Sequence, residues 1–163
     1  MAVLTNLPIQ CKLKKQMTAT AHALVGGAIA VAVKDPVLGV TLAFASHPFL
    51  DMVPHWDFGL GWRDKSKLHF LSESIFDLML GLLASYMLFG RFVNPVYFLA
   101  VVFASLFFDF LVVPYWFLKW HFFPFSTAYN FQHAINAKAK LPWGVLNQVI
   151  TVAGIIFVLR IFR

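Results

Sequence analysis

The sequence predicts an all-α integral membrane protein of about five transmembrane helices, the first two short and paired as a hairpin, plus one interfacial helix. Three observations predict it. Hydrophobic residues make up 60% of the 163-residue chain and charged residues only 12%, about half the share of a soluble domain. Mean hydropathy is +0.75. Apolar runs near the ~20 residues that cross a bilayer are separated by short polar or proline-bearing breaks, and the 19 Phe and 5 Trp suit lipid contact and interfacial belts.

Residues 1–17 form a basic extension carrying Lys12, Lys14 and Lys15, and the whole chain, 1–163, reads as one membrane domain. The extension does not read as a cleaved secretory signal, because the apolar stretch after it leads into further spans; Met17 offers an alternative start. Segment one, 18–33, is rich in Ala and Gly, and Gly26 and Gly27 allow close helix contact. Lys34-Asp35-Pro36 ends it, and Pro36 suits the first helical position of segment two, 36–53, which Pro54 stops. Both are short for full spans, so the hairpin is expected to tilt or to cross incompletely. Residues 54–70 form a polar loop with two Trp and two Gly. Segment three, 71–90, is long enough to span, with Ser72 as N-cap. Segment four, 96–118, is the most hydrophobic, and Pro114 is expected to kink or end it. Within the polar connection 119–142, residues 126–137 suit a short interfacial helix. Segment five runs over 143–162.

The net charge of +6 comes from basic residues scattered among segment ends rather than gathered on one face. That pattern argues for orientation by the positive-inside rule and against nucleic-acid binding. With the N-terminus inside, nine basic residues flank the inner face and four the outer (Lys34, Arg91, Arg160 and Arg163). The expected location is therefore a bacterial inner membrane with a cytoplasmic N-terminus. A single cysteine, Cys11, excludes an internal disulfide and a thiolate metal cluster.

Helix alternation brings the ionisable groups of the spans to one membrane face: His22, His47, Asp51, Glu73, Asp77 and Asp109. Such groups are costly in lipid and usually face a bundle interior, a partner or a pathway. His47 and Asp51 are four apart and share a helix face, so an imidazole and a carboxylate can grip one cation; His55 and Asp57 follow and can reach back. Imidazole with carboxylate suits zinc, manganese or iron. The same pair could instead hydrogen-bond to each other or cap the helix end. Glu73 and Asp77 repeat the spacing with two like charges, which repel unless a cation or a proton intervenes. Glu73 also fits a solvated acid near a helix N-terminus. His22 suits either ligation or an interhelical hydrogen bond, and Asp109, set among Phe107, Phe108, Phe110 and Leu111, demands a partner. Asn130, Gln132, His133, Asn147 and Gln148 read as interfacial polarity or as groups for a lipid headgroup or phosphate. There is no Gly-rich phosphate loop, no Gly-x-Ser-x-Gly, no His-Glu-x-x-His and no Cys-x-x-Cys.

Over its first third, the stretches Thr20-Ala-His22-Ala-Leu-Val-Gly26 and Ser46-His47-Pro-Phe-Leu-Asp51 resemble the bacterial membrane-bound metal-dependent hydrolase family of small inner-membrane proteins. The His-x-x-x-Asp followed by Pro54-His55 also looks like a segment of zinc-dependent phospholipase C and related nucleases. The family's His-Arg…Thr-His-Ser and Asp-x-Asp-His elements are not intact here.

The expected function is a membrane-embedded metal-dependent hydrolase acting on a lipid or other phosphoester near the cytoplasmic face. His22, His47, Asp51, His55, Asp77 and Asp109 are the candidate ligands of a divalent metal, zinc before manganese, and Glu73 or Asp77 the candidate general base. Its partners would be membrane lipids and that substrate. The alternative is a non-enzymatic membrane protein whose buried His and Asp groups conduct protons or ions, or lock helices together.

Overall fold

In the computed structural model, the described residues are 17–56, 66–137 and 139–161, and they form helices and connections with no β-sheet among them. Of the basic extension only Met17 is among them; Cys11, Lys12, Lys14, Lys15, Asp57, Arg63, Lys65, Lys138 and Arg163 lie outside the described residues.

Seven α-helices follow in order: α1 (Ala19–Ala32), α2 (Pro36–Asp51), α3 (Lys67–Leu88), α4 (Pro95–Ser105), α5 (Phe107–Phe117), α6 (Phe125–Ile135) and α7 (Trp143–Ile161). Pro36 does open α2, and the Asp35 carboxylate caps it by accepting from the Leu38 amide at 2.7 Å. Helix α3 starts earlier than its apolar run, because Ser66 rather than Ser72 caps it, accepting from His69 N at 3.2 Å. The Ser72 hydroxyl instead donates back to the His69 carbonyl inside the helix. Asn94 caps α4 through the Val96 and Tyr97 amides.

The expectation of five crossings is corrected. Two helices are long and apolar enough to cross a membrane, residues 67–92 and Trp143–Ile161, and a third crossing counts only if α4 and α5 act together. Those two meet at a 56° bend at Leu106, well before Pro114, which sits inside α5. The shortfall is one of length. Helix α1 has 14 residues and α2 has 16, so they rise only about 21 and 24 Å against a hydrocarbon core of about 30 Å.

Helix α1 is instead the central element of the fold. A helix apolar on every side is buried, in protein or in a membrane, and in α1 Ala21, Ala23, Val25, Ala28, Ile29 and Ala30 are all buried against the rest of the chain. It packs against α2, α3, α4 and α7. Small residues make these approaches possible: a Cβ on Gly26 would stand 2.5 Å from Ser105 Oγ and 3.2 Å from Val102 Cα. On the α3 side, a Cβ on Gly81 would meet the Thr20 Cα at 2.6 Å, a backbone atom that cannot turn away. Gly81→Ala is therefore expected to destabilise the protein by about 1–3 kcal/mol, the usual cost of forcing extra atoms into a packed interior. Thermal unfolding in detergent checks this; an unchanged midpoint would contradict the α1–α3 packing described here.

The outward faces of α2, α3, α4 and α7 carry exposed Leu38, Phe49, Phe76, Leu83, Leu99, Ile150 and Phe157. This is the surface expected of a bundle that presents apolar side chains to lipid.

Candidate metal centre

Two groups of polar side chains meet at the N-terminal end of α1, and their chemistry differs.

The first group is satisfied. The first amides of any helix lack intrahelical partners and carry partial positive charge, and Thr18 makes no side-chain cap for α1. Asp77 of α3 supplies the cap from the neighbouring helix. Its Oδ2 accepts from Ala19 N at 2.6 Å, and its Oδ1 accepts from Thr20 Oγ1 at 2.7 Å and from Thr20 N at 3.3 Å. Beside it, Thr18 Oγ1 donates to Gln148 Oε1 at 2.9 Å, and Gln148 Nε2 donates to the Trp56 carbonyl.

The second group carries unanswered polar atoms. His22, His47 and Asp51 are fully buried, and the His22 and His47 rings stack with centroids 3.9 Å apart and planes within 10°. Asp51 lies between the two imidazoles: Oδ1 is 3.3 Å from His22 Nε2, and Oδ2 is 3.4 Å from His47 Nε2. Met17 N also donates to Asp51 Oδ1, at 3.2 Å. From α5, Asp109 Oδ1 comes within 3.6 Å of His47 Nε2. Among the described residues, neither ring nitrogen of His22 makes a hydrogen bond, nor do Oδ2 of Asp51 and of Asp109.

The bend between α4 and α5 orients His47. At Leu106 the regular helical ladder is interrupted, and the Ser105 carbonyl lies 2.6 Å from His47 Nδ1. A carbonyl only accepts, so Nδ1 carries a proton, and Nε2 is the nitrogen that faces Asp51 and Asp109, either to ligate a cation through its lone pair or to carry a second proton. A backbone carbonyl on one ring nitrogen is also the usual support for a histidine that ligates metal through the other.

His22, His47 and Asp109 each offer a ligand atom, all within 4.8 Å of one another, and could hold a metal ion. If both imidazoles were neutral, the two aspartates would leave two uncompensated negative charges in a largely apolar interior, which is costly. A divalent cation, or protons on the imidazoles, would offset that cost.

Of the side chains named from sequence, the structure therefore brings His22, His47, Asp51 and Asp109 together. It gives Asp77 a capping role at α1. Glu73 pairs with His69 at 3.2 Å, where the His69 side chain is mostly exposed. His55 is buried just past α2, its Nδ1 2.7 Å from the Val53 carbonyl, and its backbone pairs with 137–139.

Sequence reasoning set Gln132 among interfacial polar groups, yet it is fully buried on α6, with Nε2 3.0 Å from His47 Nε2 and 3.2 Å from Asp109 Oδ1. The available signal was the spacing Ala128, Gln132, Asn136, one stripe at intervals of four, and all three are buried.

No protein family, curated protein or solved structure matches this chain.

Proposed function

We propose that the protein is a membrane-embedded metal-dependent hydrolase whose centre is held by His22, His47, Asp51 and Asp109, acting on a lipid or other phosphoester from the cytoplasmic face. One observation carries this reading. His47 has its Nδ1 fixed on the Ser105 carbonyl, which turns its Nε2 toward the carboxylates of Asp51 and Asp109, each with an oxygen that makes no hydrogen bond among the described residues. Imidazole and carboxylate are the ligand types that zinc and manganese take. A divalent cation there would polarise a phosphoryl oxygen and acidify a bound water to near neutrality.

The residues divide the work by position. His22 and His47 offer neutral nitrogen donors, and Asp51 spans both rings. The Asp109 side chain is 21% exposed, whereas those of His22, His47 and Asp51 are fully buried. Asp109 is therefore the member of the centre nearest to a substrate or water, and in this reading its carboxylate accepts the proton of an attacking water. In this reading Asp109 takes the role that sequence reasoning gave to Glu73 or Asp77.

Removing and restoring metal tests the activity. Detergent-purified protein stripped with chelator is expected to lose hydrolysis of phosphodiester and phosphomonoester lipids and to regain it with zinc or manganese. Asp109→Asn should lower kcat by about 10²–10⁴-fold, the range for a lost general base. Metal-loaded protein that cleaves none of these substrates would contradict the hydrolase reading.

The pairing of Asp51 with both imidazoles, at 3.3 and 3.4 Å, favours a second reading. There, protons rather than metal supply the counter-charge, and the protein is not an enzyme. That protein would bind no metal, and Asp109→Asn would abolish any pH-driven flux in liposomes.

A further inference from the structure

The side chain that closes the metal centre comes from α6. Gln132 Nε2, His47 Nε2 and Asp109 Oδ1 form a triangle with edges of 3.0, 3.2 and 3.6 Å. Donor atoms bound at about 2.0–2.1 Å around a tetrahedral cation stand about 3.3–3.4 Å apart. The carboxamide of Gln132 therefore stands at the spacing of a ligand corner, as does Asp51 Oδ2 at 3.4 Å from His47 Nε2. A half-turn about the terminal bond of glutamine exchanges its nitrogen and oxygen, which have nearly the same shape, and replaces a donor by a carbonyl lone pair.

The position of this corner is set by backbone. Ala137 N donates to the Asp51 carbonyl at 3.1 Å, and Ala139 N donates to the His55 carbonyl at 3.0 Å. These bonds tie the chain leaving α6 to the end of α2, which carries His47 and Asp51. Tyr129 and His133, each one residue after a member of the Ala128–Gln132–Asn136 stripe, stack on each other with centroids 5.7 Å apart. Gln132 is thus held on the inner face of a helix anchored to the same segment as two of the other ligands.

We propose that Gln132 is a further ligand of this centre, binding the divalent cation through its carboxamide oxygen. The inference rests on the metal reading above and extends it to a residue on a fourth helix. Oxygen from a neutral amide adds a donor without adding charge, so two carboxylates still balance one divalent ion.

Titration with Co²⁺, followed by visible absorption, tests it on the full-length protein in detergent. Wild type is expected to take up one Co²⁺ with a d–d spectrum of a four- or five-coordinate site. Gln132→Met, which keeps the length and removes the oxygen, should weaken Co²⁺ binding on the order of 10- to 100-fold and change the band pattern. Gln132→Glu should bind at least as tightly, again with a shifted spectrum, because it keeps an oxygen at the same reach. Should Gln132→Met fail to fold, Gln132→Asn, which withdraws the amide by one methylene, is expected to show the same weakening. Wild-type affinity and an unchanged spectrum in the folded Met or Asn variant would overturn the role of Gln132 while leaving the His/Asp centre intact. Wild type that takes up no Co²⁺ would overturn the metal reading itself, and this ligand with it.

Discussion

Asp51→Ala is expected to be the most damaging single substitution in the protein, lowering stability by about 3–5 kcal/mol and removing metal binding together. The carboxylate sits between two stacked, fully buried imidazoles and accepts from Met17 N. Removing it leaves that amide without its acceptor and strips the centre of a charge that balances its cation, and breaking a buried charged pair on one side costs about 3–5 kcal/mol. Asp51→Asn separates the two consequences. The amide keeps an acceptor for Met17 N and nearly the same volume, so most of the stability should return while metal affinity stays low. Chemical denaturation in detergent, measured beside metal content, resolves the two. Full metal retention in Asp51→Asn would contradict ligation through this carboxylate.

The second large effect belongs to Asp77, and it falls on stability alone. Asp77→Ala strips the α1 N-terminus of three hydrogen bonds, from Ala19 N, Thr20 N and Thr20 Oγ1. A buried donor left unmade costs about 1–3 kcal/mol; partial recapping by water brings the expected loss to about 2–4 kcal/mol. Metal content should be unchanged, because the carboxylate already answers α1. Equal loss of metal in Asp77→Ala and Asp51→Ala, in protein that remains folded, would place Asp77 in the centre after all.

These two aspartates show what the sequence could and could not reveal. Both look alike in one dimension: a carboxylate inside an apolar run, four residues from another polar group. Their roles diverge because α1 is a buried axis packed on α3, so its N-terminal amides open onto Asp77. Nothing local to Asp77 encodes that partner. Convergence of His22, His47, Asp51 and Asp109 was legible, since alternating helix directions brings the start of α1, the end of α2 and the start of α5 to one end. The number of crossings was not. Ala- and Gly-rich 18–33 has the hydropathy of a span, but only the packing at Gly26 and Gly81 shows that protein rather than lipid surrounds it. The bend at Leu106 was also hidden, because Pro114 is the obvious breaker and the true break has no proline. That bend is what supplies the Ser105 carbonyl to His47. Gln132 escaped notice because a lone glutamine in a polar connection reads as solvated until its helix is seen to be anchored against α2.

The central claim is that the four buried groups hold a divalent metal, and metal content tests it most directly. Elemental mass spectrometry on gently purified protein, beside His47→Ala, is predicted to find about one zinc or manganese per wild-type chain and none in the variant, as removal of a ligand requires. Well-folded wild type without metal, or His47→Ala that keeps it, would contradict the account and leave the cluster to protons or to helix packing.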